Sequence, residues 1–174
     1  MPDLVGPLEY WKTAFDRTKA RDERLLVPER GIEEDFDDSE DRILGIKQEL
    51  FGLRKEWAAK LGAKGVQFKD VGKEIYQLEV PVKNSKAVPK DWTMVSSTKS
   101  EKRYYFPELK TLVRALQEAQ ETHGQIVKAT AGRFFQRFDK DYSTWLTAVN
   151  IIAQLDCLIS LARASATQIG RAHV

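Results

Sequence analysis

Two apolar stripes at helical spacing constrain this chain more than anything else in it. Ile43, Ile46, Leu50, Leu53 and Trp57 step by 3, 4, 3 and 4 residues, the heptad seam of a helix that needs a partner along one side. The spacing predicts a helix ending near Leu61, closed by Gly62 and Gly65 and roughly 33 Å long at 1.5 Å per residue. A second stripe of Leu109, Leu112, Val113, Leu116, Ala119, His123, Ile126, Val127, Thr130, Phe134 and Phe138 supplies the partner. Two long helices joined by an insertion make an antiparallel pair.

Between the stripes the period changes from helical to alternating. In EIYQLEV, Tyr76, Leu78 and Val80 fall on one face and Ile75, Gln77 and Glu79 on the other, a strand ended by Pro81. Val66 to Val71 pairs with it across a turn near Gly72. Thr93 to Thr98 and Lys102 to Phe106 give two further strands, with Lys99 to Glu101 as the tip between them. A sheet of this size cannot stand alone and must sit on helix ends. Pro107 and Glu108 suit the first turn of the return helix. The expected fold class is mainly α with a small inserted antiparallel β-sheet (α+β), a long antiparallel helical lever carrying the sheet at its tip.

The flanks are less regular. Leu8 to Leu26, with Tyr10, Trp11, Ala14 and Phe15, predicts a helix stopped by Pro28 and Gly31. Glu29 to Asp41 holds eight carboxylates against Arg30 alone, which predicts an exposed linker; a calcium loop would need regular ligand spacing and a central glycine. Asp37 and Glu40 resemble a capping box that would start the seam helix. After Asp139 and Asp141, a third helix is expected from about Tyr142 to Ala166. Its apolar residues cover almost the whole circumference, so it should be buried on all sides. A chain of 174 residues has too few other elements for that, and the expectation is a piece of a larger protein. The segments are 1–38, the end of one helix and an acidic linker; 39–138, with the sheet at 66–106; and 139–174, the third helix.

Composition excludes several classes. The longest apolar run, around Leu155 to Ala162, is interrupted by Asp156 and Ser160, short of the ~20 residues a membrane span needs, so no membrane partner is expected. Met1 to Tyr10 lacks a signal pattern. Cys157 lies in an apolar helical pattern, which predicts a buried, inert thiol and fits a reducing compartment. There is no GxxxxGK[ST] loop, no GxGxxG and no Cys or His pair at metal spacing. His173 falls in a loose tail. His123 sits on the apolar stripe, where an interfacial role outweighs a catalytic one. No base and nucleophile pair emerges, and the chain is expected not to be an enzyme, with no catalytic, cofactor-binding or metal residues.

Against a net charge of only +2, the stretch from Lys83 to Pro107 is locally basic. Lys83, Lys86, Lys90, Lys99, Lys102 and Arg103 face only Asp91 and Glu101, interleaved with Ser96, Ser97, Thr98 and Ser100. This mixture grips phosphate oxygens without reading bases. A solvated charge cluster that protects a sheet edge has the same composition.

Three motifs resemble the lever and clamp region of MutS-family DNA mismatch repair proteins. IYQLEVP at Ile75 to Pro81 resembles the clamp strand, TKSEKRYYFPELKTL at Thr98 to Leu112 the clamp segment entering the return helix, and AVNIIAQLDCLISLA at Ala148 to Ala162 the lever helix running toward the ATPase. The likeness spans about Leu8 to Gly170, and the YQLEVP and KRYY spellings look most like the eukaryotic MutS homolog six branch. The resemblance implies a clamp that touches the backbone of duplex DNA without sequence preference. It also implies a heterodimer with MutS homolog two, a nuclear location, and ATP and Mg bound by the parent protein but not by this stretch. Carried over by position, the DNA-facing tip corresponds to Ser97, Thr98, Lys99 and Ser100, with Lys102 and Arg103 adjacent. Arg103 and Tyr104 match the motif whether they face DNA or hold the sheet. Lys86 and Lys90 are added on charge alone. The phenylalanine-containing mismatch reader belongs to a domain absent from this sequence, the nucleotide-binding domain would begin beyond its end, and RAHV at Arg171 to Val174 departs from the family's continuation. The rival readings are a coiled-coil-like protein interaction module without nucleic-acid contact, and a single-strand binder stacking bases on Trp92, Tyr104 and Tyr105.

Overall fold

The computed structural model describes residues 2–72 and 74–169. They form two compact units, one of Glu34–Ile126 and one of Met1–Glu33 with Val127–Val174. His173 and the divergent Arg171 to Val174 lie outside the described residues. In chain order the elements are α1 (Val5–Thr13), α2 (Arg17–Asp22), α3 (Glu34–Lys60), β1 (Gln67–Val71), β2 (Glu74–Pro81), a 3₁₀ segment (Val82–Ala87), β3 (Thr93–Ser97), β4 (Glu101–Tyr105), α4 (Pro107–Lys140) and α5 (Tyr142–Ile169). This is the expected class, mainly helical with one small antiparallel sheet.

In the Glu34–Ile126 unit, α3 and the start of α4 pack as an antiparallel pair. Near one end Ser39 Oγ lies 2.8 Å from His123 Nδ1; near the other the Trp57 and Phe106 rings are 5.6 Å apart. Ile46, Leu50 and Leu53 from the first stripe share one core with Leu109, Val113, Leu116 and Ala119 from the second. Leu78, Val80 and Tyr104 join that core from the sheet. Trp92 closes it, stacked on Phe106 at 4.4 Å and edge-on to Trp57 at 4.7 Å.

The start of α3 corrects the linker expectation. Helix begins at Glu34, three residues before the supposed capping box, and Phe36 is 2% exposed. Glu34, Asp35 and Asp37 occupy the first turn, where the helix dipole favours negative charge. Acidity that looked incompatible with packing is thus placed where a helix start tolerates it, while Phe36 carries the burial and packs against the His123 ring, tilted at 59° with centroids 5.0 Å apart.

The sheet order is β1-β2-β4-β3, antiparallel throughout. Gly72 turns β1 into β2 at φ +62, a conformation that side chains resist. Tyr76 also has positive φ, at 57, beside the irregularity between Lys69 and Val71. Its N–H donates to Asp70 Oδ1 at 2.7 Å instead of following the regular ladder, which breaks the simple alternation read from EIYQLEV.

In the other unit, the single helix expected over Leu8 to Leu26 is two. Asp16 leaves helical geometry and accepts hydrogen bonds from the N–H groups of Thr18 and Lys19, at 2.9 and 3.0 Å, so it caps a new helix. Trp11 packs edge-on against Phe134 and Phe138. The buried Glu33 carboxylate pairs with Arg133 at 2.7 Å.

The third helix forms as α5, and the chain's few other elements leave it uncovered, as expected: Ala148 is buried, whereas Leu146, Val149, Ile152, Leu155, Leu158, Ile159 and Leu161 are exposed. Cys157, expected buried, is also exposed. The membrane-length test needs correcting too. Tyr142–Thr167 is long and apolar enough to cross a membrane by length and composition, because Asp156 and Ser160 interrupt the run without lowering its average enough.

Candidate nucleic-acid interface

The basic stretch folds into a hairpin and the segment before it. β3 and β4 pair through Ser97 with Lys102 and Ser96 with Arg103, leaving Thr98, Lys99 and Ser100 as the turn. Thr98 holds the turn closed. Its N–H donates to Glu101 O at 2.8 Å, its hydroxyl donates to the same oxygen at 3.0 Å, and that hydroxyl accepts from Glu101 N–H at 3.1 Å. The Thr98 donor is therefore committed to the fold.

Lys99 and Ser100 differ. Both are exposed, and among the described residues neither side chain has a hydrogen bond or ion pair. Ser97 is exposed and Lys102 half-buried. Val82 N–H donates to Ser100 O at 3.0 Å, so the 3₁₀ segment carrying Lys83 and Lys86 begins against the turn. Lys86 and Lys90 are both exposed.

Arg103 is not free. Its Nε donates to Glu79 Oε2 at 2.8 Å and its Nη1 to Ser96 Oγ at 3.3 Å. On the far side of Glu79, Gln67 Nε2 donates to Oε1 at 3.0 Å. Burial works against charge on Glu79, but the hydrogen bonds from Gln67, Arg103 and Glu101 outweigh it and hold the carboxyl below its ordinary 4.5. Glu101 moves the opposite way, above 4.5, because its carboxyl shares a hydrogen bond with Glu79 and sits in that group's field. Sequence reasoning did not find this cluster. Glu79 and Arg103 are 24 residues apart, and only the β2–β4 register makes them neighbours.

The stacking-platform rival fails on burial. Trp92 and Tyr104 are 8% and 7% exposed, and desolvation pushes the Tyr104 phenol up. Tyr105 is half-buried, and its hydroxyl donates to Ile75 O at 2.5 Å. Trp92 and Tyr104 are packed into the core and offer no face to a base, while the Tyr105 hydroxyl is tied to β2.

A hydroxyl and imidazole pair does exist, at Ser39 and His123. The Ser39 hydroxyl already donates to Phe36 O at 2.8 Å, so the pair clasps α3 to α4, the interfacial role expected for His123. Among the described residues no group of His, Cys, Asp and Glu could hold a metal ion.

The turn and its sheet lie in a region that matches a known family model, MutS family domain IV, over residues 31–122. The chain belongs to the MutS family. Domain IV is the lever and clamp region of these proteins, and the helical pair with its sheet follows that plan. This MutS-family chain is 37% identical over 163 residues to DNA mismatch repair protein MSH6 of Saccharomyces cerevisiae, covering 93% of the chain and 13% of that protein. It is 34% identical to Msh6 of Gallus gallus and 33% to Msh6 of Homo sapiens, each over 94% of the chain and 12% of the relative. It thus spans about an eighth of the curated relatives it matches.

Proposed function

We propose that this chain is the clamp and lever segment of a mismatch repair protein and that its β3–β4 turn contacts the backbone of duplex DNA without sequence preference. The observation that carries this reading is the turn itself: Lys99 and Ser100 are exposed, and among the described residues their side chains have no hydrogen bond or ion pair, at the end of a hairpin that Thr98 closes. A cation and short hydroxyls held on a rigid turn suit phosphate oxygens and carry no pattern that distinguishes bases. Ser97, Lys102, Lys86 and Lys90 add positive potential or donors nearby, while Thr98 and Arg103 serve the hairpin. By likeness to the MSH6 proteins, the whole protein would act in the nucleus, pair with MutS homolog two and use ATP and Mg in a domain outside this sequence.

A second reading is favoured by α5, whose exposed Leu155, Leu158 and Leu161 suit contact with other protein surfaces; on that reading the turn only adds solubility. Charge reversal of Lys99 and Lys102 in the complete heterodimer separates the two. Loss of duplex retention supports the DNA clamp, and unchanged retention supports the interaction module.

A further inference from the structure

One polar row crosses all four strands. In register, Gln67 of β1 faces Glu79 of β2, Glu79 faces Arg103 of β4, and Arg103 faces Ser96 of β3. The side chains are bonded in that same order, at 3.0, 2.8 and 3.3 Å. The Glu79 side chain is 3% exposed and that of Arg103 18%.

The row stands one residue pair below the turn. Ser96 with Arg103 is followed by Ser97 with Lys102, and then Thr98 and Glu101 close the hairpin. On its other side lies the irregularity between Met94 and Ser96, where one strand carries an extra residue. A strand edge beside a bulge is where register is most easily lost, and a slip of one residue turns every side chain beyond it to the other face. Among the described residues β3 is an edge strand, paired with β4. Arg103 bonds outward to β3 and inward to β2, so it pins the register between the bulge and the turn.

We propose that Arg103 is a positioning residue that acts through Glu79 and Ser96 to fix how the turn presents Lys99 and Ser100, and that it does not itself touch phosphate. The link to DNA rests on the reading of the turn given above; the positioning does not. Its Nε on Glu79 and its Nη1 on Ser96 fix the guanidinium within the row, and withdrawing it to reach out past the turn would leave the nearly closed-off Glu79 carboxylate buried without its partner.

The test uses the complete heterodimer with Arg103→Gln, Glu79→Gln, and the reciprocal exchange Glu79→Arg with Arg103→Glu. Amide exchange at Thr98 and Glu101 should quicken roughly ten-fold in either single variant, the loss of one charged hydrogen bond, and slow again in the reciprocal exchange. Duplex affinity should fall in both single variants and recover in the exchange with the wild-type salt dependence. Unchanged amide exchange in Glu79→Gln would overturn the proposal, as would a rise in its affinity and salt dependence, the mark of a released cation reaching phosphate. Should the charge variants fail to fold, Ser96→Ala removes only the outer bond. Turn amides quickened roughly three-fold would support positioning, and unchanged ones would overturn it. If the amides respond as expected while Lys99→Ala leaves duplex binding intact, the positioning stands and the DNA reading of the turn falls.

Discussion

Arg103 Nε lies 2.8 Å from Glu79 Oε2 across the β2–β4 pairing, with the carboxylate side of the pair almost closed to water. Removing one member of such a pair leaves the other charge buried without compensation. Arg103→Ala should therefore destabilise the sheet by about 3 kcal/mol, more than Lys99→Ala, which removes an exposed side chain. Urea unfolding of the two variants compares them, and equal stabilities would show that the pair is not holding the sheet.

The same cluster sets a pH dependence with two limbs. Glu79 lies below its ordinary 4.5, so its contribution is complete above that value and is lost as pH falls through the depressed one. Glu101 lies above 4.5, so its contribution is complete below that value and is lost as pH rises through the raised one. Sheet stability from this pair should peak between the two. Glu101→Gln should flatten the alkaline limb and keep the acid limb, as read from the urea midpoint against pH; an unaltered alkaline limb would remove Glu101 from the account.

Trp92 stacks on Phe106 and is nearly buried. Trp92→Ala should cost about 3–5 kcal/mol through the cavity it leaves, whereas Tyr105→Phe, which loses one hydrogen bond to Ile75 O, should cost about 1 kcal/mol. Neither residue should show a stacking contribution to single-stranded DNA. A fall in single-strand affinity for Tyr105→Leu, which removes the ring, in a protein that remains folded would reopen the stacking reading.

Phe36 anchors the beginning of α3 within the acidic run. Phe36→Ala should cost about 3 kcal/mol and free the amides of the first α3 turns to exchange. If those amides exchanged freely in the unaltered protein, the run would be the linker its charge suggested.

The parts of this fold legible in the sequence are those set by periodicity. The Ile43–Trp57 and Leu109–Ala119 stripes gave the helical pair, because burial along one face leaves a mark at every third or fourth residue. Strand positions and the Lys99 turn followed from alternation and from Pro81, Gly72 and Pro107. What the sequence hid depended on partners distant in the chain. Glu79 reads as an outward strand residue until register brings Arg103 opposite it, and Phe36 is one apolar residue among carboxylates until the His123 ring packs against it. For α5 the pattern correctly announced an apolar helix, but burial is a property of neighbours, and Leu155, Leu158 and Leu161 are exposed. The candidate site divided in the same way. That Lys99 and Ser100 would lie on an exposed turn was legible from type and position alone, whereas the hydrogen bonds that tie Thr98 and Arg103 into the hairpin were not.

Salt dependence of duplex binding tests the central claim most directly. In the heterodimer proposed above, Lys99→Ala should reduce the slope of log affinity against log salt by about 0.9, the release of one counterion, and should weaken all duplex sequences alike. A slope unchanged within error would contradict the account, because the exposed cation on the turn would then be touching no phosphate.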